Sequence, residues 1–85
     1  MAILNSFTEL ENYLINMGVD RSAIAINETP QDGQYAIQFD GSKTEVFLPE
    51  RGIKHELRTF GSKTEAMKYF VDIVLSDPRN KPGSN

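Results

Sequence analysis

Hydrophobic positions near the start of the chain recur at intervals of three and four residues, the spacing of one helix face. They are Phe7, Leu10, Leu14 and Met17. Ser6 and Glu9 match a capping box at the beginning of this segment. Gly18 can adopt the left-handed conformation that ends many helices. The pattern predicts a helix over residues 6–17.

After this segment the hydrophobic period shortens to two residues, which indicates β-strands. Four strands are predicted, over residues 22–28, 34–40, 44–48 and 53–59. Turn-forming residues separate them, and Pro49 is expected to end the third strand because it has no N–H to donate. Strands joined by such short turns favour an antiparallel meander.

The fourth predicted strand has the clearest one-sided pattern. Ile53, His55 and Leu57 alternate with Lys54, Glu56 and Arg58. Because successive side chains of a strand point to opposite faces, we expect the first set to face the core and the second to face solvent. The single histidine of the chain, His55, is therefore expected to be half-buried and hydrogen-bonded.

A second helix is predicted over residues 63–76, with a capping box at Ser62 and Glu65. Its apolar stripe consists of Ala66, Tyr69, Phe70, Ile73 and Val74, broadened by Met67 and Leu75. The fold class is then α+β in the order α-β-β-β-β-α, a single domain over residues 1–78 with both helices on one sheet face. The polar residues 79–85 are expected to form a disordered tail.

The other face of the predicted sheet is left open to solvent or to a partner. It would present small and charged side chains, namely Ala23, Ala25, Ala36, Gln38, Lys54, Glu56 and Arg58. Small side chains would permit a close approach. A docking surface and a merely solvated face both remain open interpretations.

Composition limits the chemistry that the chain can perform. It has no cysteine, which excludes disulfides, thiolate nucleophiles and zinc–thiolate sites. No P-loop, Gly-x-Gly-x-x-Gly or Gly-x-Ser-x-Gly motif occurs. Glu45, Glu50 and Glu56 lie near one predicted hairpin, which leaves a carboxylate pair open as an alternative. We expect a protein without enzymatic activity, cofactor or metal.

The net charge of −3 is unevenly distributed. Residues 1–42 carry six acidic residues and one basic residue, whereas residues 43–85 carry eight basic and six acidic residues. An acidic half steers basic partners, although acids can also serve solubility alone. Neither a signal peptide nor an apolar run of membrane-spanning length is recognisable, so we expect a cytoplasmic protein.

Residues 46–70 carry a resemblance to a known group of proteins. A strand ends in Glu-Arg-Gly at residues 50–52, Phe-x-Ser follows at residues 60–62, and the next helix contains Glu-Ala and Tyr-Phe. This arrangement resembles small bacterial immunity proteins encoded beside polymorphic or contact-dependent toxins. The resemblance implies a cytoplasmic inhibitor that binds and occludes a cognate toxin domain, in many cases a nuclease.

The surface that would contact such a toxin is expected to be the acidic one. A rigid acidic domain can mimic the phosphates that a nuclease expects and can associate rapidly through steering. We expect a monomer, although the sequence leaves the oligomeric state open. The candidate contact residues are Glu28, Asp32, Asp40, Glu45, Glu56 and Arg58.

A different interpretation rests on the start of the second predicted helix. Residues 61–68 resemble the opening of the second helix of double-stranded RNA-binding domains, where lysines hold phosphates across the groove. Lys63 and Lys68 match, but Thr64 and Glu65 interrupt the run of lysines. The acidic composition is also unlike the basic footprint expected of such a domain. This nucleic-acid-binding module is the alternative to the inhibitor.

Overall fold

The computed structural model describes residues 6–77, which form two helices and one four-stranded sheet. The elements are α1 (Phe7–Asn16), a 3-10 turn (Arg21–Ala23), β1 (Ile24–Ile26), β2 (Tyr35–Phe39), β3 (Thr44–Glu50), β4 (Ile53–Phe60) and α2 (Lys63–Ser76). The α+β class is as predicted. The tail predicted over residues 79–85 lies outside the described residues.

Both helices begin and end where local signals place them. The hydroxyl of Ser6 accepts a hydrogen bond from the Glu9 N–H at 3.1 Å, and that of Ser62 accepts one from the Glu65 N–H at 3.3 Å. Gly18 has a φ of 96°, the left-handed conformation expected after α1. Each cap satisfies an amide that the helix itself cannot pair, so the predicted caps at Ser6 and Ser62 and the glycine stop after α1 are confirmed.

The sheet order is β1-β2-β3-β4, and the sheet is mixed. β1 runs parallel to β2, with Ala25 opposite Ala36, whereas β2–β3 and β3–β4 are antiparallel. The predicted antiparallel meander is therefore wrong at its first pair. A parallel pair requires the chain to return to the starting end of the sheet, and residues 27–34 make that return.

This return segment crosses the sheet face opposite α2. The Gly33 N–H donates to the Pro49 carbonyl at 3.1 Å, and the Gln38 side chain donates to the Glu28 carbonyl at 3.0 Å. Three residues form a small second core on this face: Ala25, Ala36 and Phe47. The prediction that Ala25 and Ala36 lie on an open face is wrong, because both are fully buried.

The main core lies between the sheet and the helices. Leu10 and Leu14 of α1 join the apolar side of α2 and the inner side of the sheet in one cluster. The sheet contributes Ile24, Ile37 and Val46, and α2 contributes Ala66, Met67, Phe70, Val71 and Val74. Ala23 packs against this core rather than on the opposite face, which is a further correction.

Pro49 lies within β3 and does not end it. Glu50 is opposite Ile53, and Pro49 is opposite Lys54. In a two-residue hairpin the pair beside the turn is hydrogen-bonded and the next pair is not. Pro49 therefore occupies a position at which no N–H is required toward β4, and the strand runs on to the turn.

β4 contains a β-bulge that changes its pattern. Val46 is opposite Arg58 and Leu48 is opposite His55, so that Glu56 and Leu57 together oppose Phe47. Glu56 has a φ of 52°, the left-handed conformation that a bulge can require. The predicted alternation over residues 53–59 is interrupted there. His55 is exposed, not half-buried.

Candidate protein-binding surfaces

The structure divides the six predicted contact residues among three places. Glu28, Asp40 and Glu45 line one open depression of about 470 Å³, called here the acidic depression. Its other lining residues are Asn27, Thr29, Gln38, Phe39, Lys43 and Lys54. Asp32 lines a separate, more apolar depression beside Phe47 and Pro49.

The acids of the acidic depression come from three segments that the sheet brings together. Glu28 lies on the return segment, Asp40 on the turn after β2, and Glu45 on β3. Glu45 is opposite Gln38, whose side chain binds the return segment. The register of β2 and β3 thus sets the distance between acids that are far apart in sequence.

Asp40 shapes its own turn. Its carboxylate accepts hydrogen bonds from the N–H groups of Ser42 and Lys43, both at 3.0 Å. The bond from the Lys43 N–H and then that from Ser42 hold the pKa of Asp40 below its usual value. The carboxylate is exposed, so it remains charged and accessible at neutral pH.

Basic side chains compensate the other two acids. Arg21 donates to Glu28 at 2.9 Å and lies 3.3 Å from Glu11. Lys54 lies 2.7 Å from Glu45, which is also 3.9 Å from Lys43. The hydrogen bond with Glu28 raises the pKa of Arg21. The depression is therefore a surface of mixed charge, less acidic than the sequence predicts.

Glu56 and Arg58 lie on the remaining surface, at the free side of β4. They line an open depression of about 530 Å³ that also includes Leu57 and Tyr69. The guanidinium of Arg58 is 5.3 Å from the centre of the Tyr69 ring. Arg58 was predicted on the face away from the helices, and this is wrong because the bulge turns it toward α2.

Two apolar side chains that were predicted to be buried are exposed on this surface. Leu57 is 45% exposed and Ile53 is 59% exposed. The alternation of β4 assigned both to the core, although an edge strand can keep such a pattern in solvent. We call the outer side of residues 53–60, with its unpaired backbone, the β4 edge. Its exposed apolar residues and its position as the last strand are signals of a docking surface.

The lysine invoked for nucleic-acid binding has a structural role. The ammonium of Lys63 lies 4.9 Å from the centre of the Phe7 ring and 4.5 Å from that of Phe39. These cation–π contacts connect the start of α2 to α1 and β2. Lys68 is exposed. RNA binding stays a prediction, which a gel shift with double-stranded RNA at low and moderate salt would test.

Within residues 6–77 no group of three or more metal-ligating side chains is close enough to hold an ion. Neither helix of this range has the length and apolar composition needed to cross a bilayer. Comparisons of the chain with protein-family models, with curated proteins and with solved structures found no significant match.

Proposed function

We propose that this protein is a non-catalytic inhibitor that binds a bacterial toxin domain, as an immunity protein does. The observation that carries the proposal is the acidic depression, where Glu28, Asp40 and Glu45 converge from separate segments. Phe39, which is 40% exposed, lies among them. Aromatic side chains are enriched at protein-binding surfaces, and the rim of such a surface is polar.

The resemblance over residues 46–70 supports the same proposal, and it lies in residues that hold the fold together. Arg51 and Gly52 form the β3–β4 turn, with φ values of 53° and 78°. Ser62 caps α2, and Phe70 is fully buried in the core. The similar residues thus perform structural tasks. Contacts specific to one toxin would lie elsewhere, and the acidic depression is built mainly from residues before this segment.

The mixed charge of the depression defines the partner more closely. Lys54 and Lys43 neutralise much of Glu45, so simple mimicry of a phosphate backbone is less favoured than pairing with a patch of both signs. Asp40, one of the lining residues, presents an exposed negative charge. We expect it to pair with an arginine or lysine of the toxin.

Co-expression with the product of the neighbouring gene, followed by pull-down and a toxicity assay, tests this proposal. We expect a complex and protection of the cells. Asp40→Lys and Glu28→Lys should each weaken binding at least about tenfold, because a like charge would face the partner. Asp72→Lys, on the exposed side of α2, is the matched control and should bind normally. Absence of both complex and protection would refute the proposal.

A further inference from the structure

The β4 edge is the longer of the two edges of the sheet. β4 spans eight residues and is the last strand of the sheet. Every residue from 53 to 59 is exposed. Within residues 6–77 no hydrogen bond from a further element reaches its outer side. A long exposed edge is a template for pairing with another strand.

The register shows which backbone groups point outward. Because Pro49 and Lys54 are a pair without mutual hydrogen bonds, the N–H and C=O of Lys54 face away from β3. Beyond the bulge the bonded pair is Val46 with Arg58, since Val46 lies two residues from Leu48 in β3. By the same alternation Leu57 and Thr59 direct their backbone groups outward. A partner strand can therefore bond at Lys54, Leu57 and Thr59.

The side chains around Leu57 are complementary to the same side chains of a second copy of β4. If two copies of β4 pair antiparallel about a two-fold axis at Leu57, Leu57 lies opposite Leu57 of the partner subunit. Glu56 then lies opposite Arg58 of the partner subunit, and the axis generates this ion pair twice. We infer that the protein forms a symmetric homodimer through the β4 edges, centred on Leu57.

Neighbouring registers lack this complementarity. A pair centred on Glu56 places two glutamates opposite each other and Lys54 opposite Arg58, so that like charges meet on the axis and beside it. A pair centred on Arg58 places two guanidinium groups in contact. Like charges directly opposite each other are destabilising. Charge therefore disfavours both adjacent registers relative to the pair centred on Leu57.

The outer side of β1 does not support a second contact of this kind. Arg21 donates to the carbonyl of Ile24 at 2.9 Å, and β1 has three residues. Pairing at β4 alone gives a closed dimer and no filament. The contact is small, and interfaces below ~1,200 Å² are typically weak, so association is best followed from about 10 µM to about 1 mM.

Sedimentation equilibrium of the wild type and two charge variants tests the inference. Glu56→Arg and Arg58→Glu should each weaken dimerisation at least about tenfold, because each places like charges opposite each other twice. An equimolar mixture of the two variants should form a heterodimer, because every pair is then of opposite sign. Ile15→Lys, at an exposed apolar residue of α1, should dimerise like the wild type.

A monomeric wild type at about 1 mM would overturn the inference, and so would a mixture of the two variants that stays monomeric. Amide hydrogen exchange of the wild type gives a test that needs no variant. The amide of Leu57, at the centre of the paired strands, should exchange more slowly at high than at low protein concentration. Exchange independent of concentration would also overturn it. Neither measurement involves a toxin, so failure here leaves the proposed inhibitor untouched.

Discussion

The two edges of the sheet differ in almost every respect. β1 has three residues, of which Ile24 and Ala25 are fully buried. β4 has eight residues, and those from 53 to 59 are exposed. Arg21 donates to the Ile24 carbonyl of β1, whereas the outer side of β4 carries a bulge and charged side chains. A neighbouring side chain binds the outer side of β1, whereas the outer side of β4 is irregular but unpaired within the described residues.

This difference shows two ways of managing an unpaired strand. A short edge exposes few backbone groups, and one guanidinium can satisfy the outward carbonyl. A long edge exposes more backbone groups than one side chain can satisfy. The bulge and the charges of β4 instead restrict the partners and registers that can pair with it. We therefore expect β1 to contribute to stability and β4 to association.

The largest effect is expected from truncating one apolar residue in each edge. Ile24→Ala removes a side chain that is fully buried in the main core and should lower the free energy of unfolding by about 2–5 kcal/mol. Leu57→Ala removes a side chain that is 45% exposed and should change it by less than about 0.5 kcal/mol. Urea denaturation measures both. Equal losses would show that the two edges do not differ in this way.

A smaller loss is expected when the closure of β1 is removed. Arg21→Met deletes the hydrogen bond to the Ile24 carbonyl and the ion pairs with Glu28 and Glu11. These groups are substantially exposed, so we expect a loss of about 1 kcal/mol. Thermal denaturation measures it, with Lys68→Met as the control for loss of a surface cation. If both variants lose the same stability, Arg21 does not close the edge.

The helices could be predicted from sequence because their signals are local. α2 runs from Lys63 to Ser76 as expected, since its cap and its apolar stripe lie within one short segment. The direction of β1 could not be predicted in this way. It depends on residues 27–34 crossing the sheet and binding Pro49, a contact between distant segments that no turn signal reports.

The acidic depression could be predicted only in part, because some of its contacts join distant segments of the chain. Charge alone selected Glu28, Asp40 and Glu45, and the strand register brings them together. Their compensation by Arg21 and Lys54 requires contacts across the sheet. The position of Arg58 on the α2 side of the sheet depends on a bulge at Glu56. Glutamate is a residue type that gives no sequence signal of a positive φ. The alternation of β4 therefore misled the assignment of its faces.

Backbone strain at the bulge of β4 can be measured by substituting Glu56. Glu56→Gly should leave the free energy of unfolding unchanged or raise it by up to about 1 kcal/mol, because glycine adopts a φ of 52° without strain. Thr59→Gly, in the regular part of the same strand, should lower it by about 0.5–1 kcal/mol. Chemical denaturation of the two variants compares them. A larger loss at Glu56 than at Thr59 would rule out backbone strain at the bulge.

The smallest effect concerns the pH dependence of the β1 side. Asp20 caps the 3-10 turn before β1, accepting from the Ser22 N–H at 2.9 Å and from its hydroxyl at 2.8 Å. The bond from the backbone N–H, followed by that from the hydroxyl, holds the pKa of Asp20 below its usual 3.8. The folded state thus favours the carboxylate, so its contribution is present above pH 3.8 and is lost as the pH falls through the lowered value.

Amide exchange can locate this effect at one edge. As the pH falls below about 4, the protection of the β1 amides should decrease in the wild type more than in Asp20→Asn, whose cap does not titrate. Protection along β4, which lies at the other side of the sheet, should change equally in the two proteins. Asp72→Asn is the control for removal of a surface acid. If β1 and β4 respond alike in Asp20→Asn, the cap does not act on β1 alone, and the two edges are coupled through the sheet rather than held by separate local contacts.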